Sequence, residues 1–205
     1  MMVRPFLVLA ALSAACGSDD GGASVDAATG GDAVGNVKRV FVTAADFTGG
    51  FASGNPGVDG AVVADQQCQT AAVGAGMSGT WHAWMGRYGN GSLPARTAPE
   101  RVTGDGPWHL TGTNELVFLN RAALANTPRV AIDRNEHGVM VASGPVWTAT
   151  DVGGALVGFD CQSWTTGNSA YDGTVGELSS NGSQWTYTGN FHGCELRARL
   201  YCFEM

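Results

Sequence analysis

The stretch GCELRARLYCFE (193–204) ends the chain one residue short of Met205, and the reading of its two cysteines decides the fold. Cys194 and Cys202 could be metal ligands together with His192, redox thiols, or disulfide partners. Across residues 195–204, Leu196, Ala198, Leu200 and Cys202 alternate with Arg197, Arg199, Tyr201 and Phe203. Period two predicts a strand with Cys202 on the aliphatic, inward face.

Working outward, GVDGAVVADQQCQTAAVGAG (57–76) carries the one convincing helix, roughly Val58 to Ala75. Asp59 can cap its start, and Ala61, Ala64, Cys68, Ala71, Ala72 and Ala75 fall on one face. A stripe of small residues lets the helix lie close to a sheet and turns Cys68 inward. An inward Cys68 and an inward Cys202 are natural partners. Elsewhere, short apolar runs separated by Gly, Asn, Asp and Pro predict strands. They fall in KRVFVT (38–43), TWHAWM (80–85), ELVFL (115–119), GVMVA (138–142), PVWTAT (145–150) and QWTYT (184–188). The fold class expected is α+β, one domain over residues 37–205.

The N-terminus, MMVRPFLVLAALSAAC (1–16), has one early arginine, an apolar run from Phe6 and small residues before Cys16. This is the pattern of a secretion signal, too short to span a bilayer. Leu12–Cys16 resembles the lipobox of bacterial lipoproteins, which implies a signal peptide over 1–15, a lipidated Cys16 and a membrane anchor through its acyl chains. Gly17 rather than Asp after the cysteine favours the outer membrane. With Cys16 acylated, five cysteines become four, which an oxidising compartment would pair; spacing alone leaves three connectivities open. Residues 16–36 hold four aspartates and six glycines without a base or an aromatic, the composition of an acidic tether. The whole chain has a formal net charge of −7, which argues against nucleic acid as a partner.

Few motifs carry chemistry. GAGMSG (74–79) fits G-x-G-x-x-G, but helix precedes strand here, the reverse of a dinucleotide site, so a helix C-cap is expected. DRNEHG (133–138) opens like a calcium loop and then lacks the glutamate at the twelfth position, which leaves a polar hairpin turn. His82, His109, His137 and His192 are scattered, so no metal or other cofactor is expected. Arg87, Arg96 and Arg101 share RYGNGSLPARTAPER (87–101), a loop-like segment able to grip sulfate or carboxylate groups of an anionic glycan. Six tryptophans are many for this length; most should be core, while Trp108 and Trp164 are candidate ligand-binding indoles.

Three stretches, GVDGAVVADQQCQTAAVGAGMSGTWHAWM (57–85), VWTATDVGGALVGFDCQSWTT (146–166) and GCELRARLYCFE (193–204), together resemble the endostatin-like branch of the C-type-lectin-like fold, in its bacterial lipoprotein relatives. That resemblance implies a mixed, mostly antiparallel sheet with one main helix, long loops and nested disulfides, Cys68 with Cys202 and Cys161 with Cys194. Endostatin-type zinc histidines are missing from KRVFVT, as are the E-P-N, Q-P-D and W-N-D elements of calcium-dependent sugar binding. The expected function is therefore non-catalytic binding or adhesion at the cell envelope, with a protein or glycan ligand on loops between Gly86 and His109 or around Trp164 to Tyr171. The alternatives are a structural envelope component in a fixed complex and an extracytoplasmic hydrolase.

Overall fold

The C-terminal strand is the hub of the molecule. The computed structural model describes residues 37–55 and 57–205; the segments expected to be signal peptide and tether, and Cys16 with its expected lipidation, lie outside the described residues. The strands are β1 (Lys38–Val42), β2 (Trp81–Ala83), β3 (Trp108–Leu110), β4 (Leu116–Phe118), β5 (Pro145–Trp147), β6 (Asp172–Glu177), β7 (Phe191–Gly193) and β8 (Tyr201–Glu204). The helices are α1 (Gly60–Gly74) and the single turn α2 (Ala98–Arg101). A five-stranded mixed sheet runs β2-β8-β1-β3-β4, with only β1 and β3 parallel, and a three-stranded antiparallel sheet runs β5-β6-β7. The fold is thus α+β with one main helix.

β8 sits between β2 and β1, with Cys202 opposite both Phe41 and Ala83. Its alternation serves two cores rather than a core and solvent. Cys202 joins the cluster under α1, with Phe41, Trp81 and Ala64, while Tyr201 and Phe203 point the other way into a cluster with Trp84, Trp108, Phe118 and Trp185. Period two therefore separates two buried faces, as it does wherever a sheet is covered on both sides.

The helix follows its sequence closely. Asp59 Oδ1 accepts the Ala61 N–H at 3.0 Å, and Gly60, Ala61, Ala64, Cys68 and Ala72 are buried. At its end Met77 N–H donates to Ala72 and Gly76 N–H to Val73, with Gly76 at φ +74°. This is the two-bond Schellman stop, which only a left-handed residue can complete cheaply. GAGMSG is the helix C-cap its order implied.

Two disulfides, Cys68–Cys202 and Cys161–Cys194, span Cα–Cα distances of 5.4 and 5.7 Å. Such bridges form and persist in oxidising compartments and are rare in a reducing cytoplasm, so the pair points to an extracytoplasmic domain. Among the described residues no helix is long and apolar enough to cross a membrane.

Several local expectations fail. GVMVA (138–142) is not a strand: Val139 and Met140 are exposed, and the segment is the return arm of a turn in which Asn135 Oδ1 accepts the N–H groups of His137 and Val139. QWTYT curls into a 3₁₀ turn, Ser183–Trp185, because Trp185 must reach the ring of Trp84, 5.1 Å away. The strand at 195–204 begins only at Tyr201, and Leu196 is 47% exposed. Conversely, β6 (DGTVGE) was hidden by its glycines. A Cβ at Gly173 would strike the Trp147 ring and Cys161 Sγ, and one at Gly176 would strike the Trp185 backbone, so close approach excludes a side chain at both.

Candidate functional site

The backbone between Asp160 and Thr165 does something L-residues rarely do. Cys161, Gln162, Ser163 and Trp164 have φ of 49°, 58°, 58° and 61°, a full left-handed turn without a glycine. Each such residue costs roughly 1–2 kcal/mol, so the turn stores several. It persists only because its surroundings over-determine it.

Those surroundings can be named. Cys161 is bridged to Cys194 beside β7. Trp164 drives its ring into the core, where Nε1 donates to the Gly86 carbonyl at 2.7 Å. Asp160 accepts the Ser163 N–H on Oδ1 at 2.9 Å and the Tyr88 N–H on Oδ2 at 2.7 Å, and Ser163 Oγ donates to the Tyr88 carbonyl at 2.9 Å. Gly49, Gly60 and Gly173 make room: a Cβ on any of them would collide with Cys161 or Trp164. The turn is held from α1, from β6 and from the 86–90 segment at once.

The strained turn forms one wall of an open groove of about 440 Å³ lined by Tyr88, Gly89, Asn90, Phe159, Asp160 and Gln162, among others. Phe159 is 51% exposed and meets the 47% exposed Phe191 edge to face at 4.8 Å. Gln162, at the crest of the turn, is exposed with no side-chain hydrogen bond among the described residues. The groove thus offers an apolar ring face beside amide donors and acceptors, set on a turn held by a disulfide, a buried indole and side-chain hydrogen bonds.

Asp160 is the carboxylate of this groove. Burial pushes its pKa up from the ordinary 3.8, opposed by the N–H groups of Ser163 and Tyr88 and by the charge of Arg87. In the window above 3.8 the folded chain therefore holds this proton when the unfolded chain has released it. Its contribution favours folding at the acidic end of that window and is lost as the pH rises through the folded value. Urea unfolding of the native chain and of Asp160→Asn across pH 4–7 should show the native chain gaining relative to the variant as pH falls; a constant difference would contradict this assignment.

The residues singled out from sequence are placed as follows. Arg87 is 2% exposed, with Nε 3.0 Å from Asp59 Oδ1. Arg101 Nη2 donates to both oxygens of Asp65 at 2.8 Å and to the Ala61 carbonyl. Arg96 alone of the three is exposed. The segment contains no acid before Glu100, yet α1 brings Asp59 and Asp65 to two of its arginines, a pairing across 28 and 36 residues that local spacing could not reveal. Trp108 and Trp164 are fully buried and present no ring face to a ligand; Trp108 Nε1 is occupied by the Glu204 carbonyl at 2.8 Å. Large rings at these positions complete the cores instead. Cys68, Cys161, Cys194 and Cys202 are structural. Among the described residues no group of three or more His, Cys, Asp or Glu is arranged to hold a metal ion.

Phe159, Gln162, Tyr88 and Asp160 were not singled out from the sequence. GFDCQSW (158–164) offered one hint, a large apolar residue beside a potential capping aspartate, but four consecutive left-handed residues have no compositional signature. No protein-family model matches this chain, and no curated protein is significantly similar to it.

Proposed function

We propose that this chain is a lipid-anchored cell-envelope protein that displays a C-type-lectin-like domain and binds a surface glycan without chemically altering it. The observation that carries the reading is the left-handed turn at Cys161–Trp164 and the groove it shapes. Strained, over-determined backbone concentrates at sites that must present side chains in a fixed geometry. Here the exposed ring of Phe159 suits the apolar face of a pyranose, and Gln162 and Asn90 suit its hydroxyls. Asp160 has both oxygens engaged by backbone N–H groups, which favours a positioning role over acid–base chemistry.

Other features support the wider reading. The helix-to-last-strand bridge encloses the Cys161–Cys194 bridge, as the resemblance implies for the C-type-lectin-like fold. The lipobox-like Leu12–Cys16 stretch and the acidic tether suit display at a distance from a membrane, with the outer membrane favoured by Gly17. A fixed protein partner in the envelope is the competing reading, and the same experiment separates them. The mature exported chain, tested on a glycan array, should bind a restricted set of saccharides, and Phe159→Ala should weaken that binding at least about tenfold, about 1.4 kcal/mol, with an unchanged circular dichroism spectrum. Absence of any glycan binding, together with stoichiometric co-purification of one envelope protein, would replace this function with a structural one.

A further inference from the structure

The tripeptide Asn-Gly-Ser occurs twice, at 90–92 and at 181–183. In both copies the asparagine and the glycine are exposed. An asparagine followed by glycine is open to attack of the next peptide nitrogen on its side-chain amide, because glycine has no side chain to crowd that nitrogen. The shared local sequence gives the two copies similar intrinsic reactivity, so a difference between them in the folded chain is tertiary in origin.

The fold treats them in opposite ways. Asn90 Oδ1 accepts two backbone N–H groups, from Ser92 at 3.2 Å and from Leu93 at 3.0 Å. Two donors on one carbonyl oxygen polarise the amide carbon and stabilise the negative charge that the oxygen takes on when that carbon is attacked. The same turn folds the side chain back over the peptide unit that follows it. The Gly91 N–H makes no hydrogen bond among the described residues, and a Cβ placed on Gly91 would meet nothing within 4 Å, so this nitrogen is both unengaged and open to solvent. At the second copy the nucleophile is tied up, since the Gly182 N–H donates to Ser180 Oγ at 3.1 Å. The Asn181 side chain accepts no hydrogen bond among the described residues that would polarise it.

We propose that Asn90 is a self-modification site, which converts to aspartate and isoaspartate in the folded chain while Asn181 is protected. Solvent base removes the Gly91 N–H proton and the nitrogen bonds to Asn90 Cγ. The Cγ–Nδ2 bond breaks, ammonia leaves with a proton from water, and a cyclic imide closes. Water then opens either imide carbonyl, so the net change is amide plus water to carboxylic acid plus ammonia. The product sets a negative charge on the wall of the groove that also holds Asp160. The reaction does not depend on what that groove binds, so it and the glycan reading can fail separately.

The test is peptide mass spectrometry of the mature chain held in mildly alkaline buffer, with the folded chain and the chain reduced and unfolded in urea followed in parallel. In the folded chain Asn90 should convert at least about tenfold faster than Asn181, with isoaspartate as well as aspartate among the products. In urea the two sites should convert at similar rates. Ser180→Ala, which releases the Gly182 N–H, should accelerate Asn181 at least about twofold and leave Asn90 unchanged. The proposal is overturned by equal rates at the two sites of the folded chain, by an Asn90 that stays intact while the unfolded chain converts, or by a Ser180→Ala variant in which Asn181 is no faster.

Discussion

Replacing Cys68 and Cys202 together with alanine should lower the stability of the domain by about 5 kcal/mol, because the bridge closes a loop between residues 134 apart. For a domain of this size that corresponds to a fall in Tm of about 10–20 °C. Most of the effect acts on the unfolded chain, whose ends are released. A native contribution adds to it, since both sulfurs are fully buried in the core under α1. The Cys161–Cys194 bridge, with a separation of 33, should contribute about 4 kcal/mol by the same reasoning. Urea unfolding of the oxidised chain and of each double-alanine variant measures both. Equal losses from the two pairs, or a loss below about 2 kcal/mol from the first, would contradict the chain-entropy account.

The second large effect lies at Asp65. Asp65→Ala should destabilise the fold by about 3–5 kcal/mol, since it leaves Arg101, whose side chain is only 8% exposed, as an uncompensated charge. It also strips the Ala83 N–H of β2 of its acceptor. Asp65→Asn should be milder, because the amide oxygen can still accept from Ala83. Asp65→Ala combined with Arg101→Met should recover part of the loss, which identifies the stranded charge as its main source. The exposed pair Arg197–Asp46 provides the contrast: its removal should cost no more than about 1 kcal/mol. Chemical denaturation of the four variants tests the set, and an Asp65→Ala loss as small as that of the exposed pair would refute the argument.

The two effects differ in how far they could be foreseen. Cys68 and Cys202 were assigned inward faces from helical and strand periodicity alone, and the bridge joins those faces. The ion pair was illegible, because nothing in RYGNGSLPARTAPER indicates that α1 will lie against it. The tryptophans show the same divide. Their number announced a substantial core, but that Trp108 and Trp164 belong to it depends on which acceptors, the carbonyls of Glu204 and Gly86, the fold brings within reach. Curled QWTYT departed from its strand-like composition because a tertiary demand on Trp185 outweighed propensity, and exposed GVMVA because the Asn135 side chain closes a local turn over its start.

The sequence alone determined what depends on neighbours within one turn or strand: the extent of α1 between its Asp59 cap and Gly76 stop, the inward faces of Cys68 and Cys202, and the α+β class. The tertiary structure decided the rest. The left-handed turn at Cys161–Trp164 is unfavourable for each of its own residues, and it exists because a disulfide, a buried indole and three glycines from distant parts of the chain leave it no alternative. Local preference is readable from local sequence. A conformation held against that preference can be seen only together with the contacts that hold it.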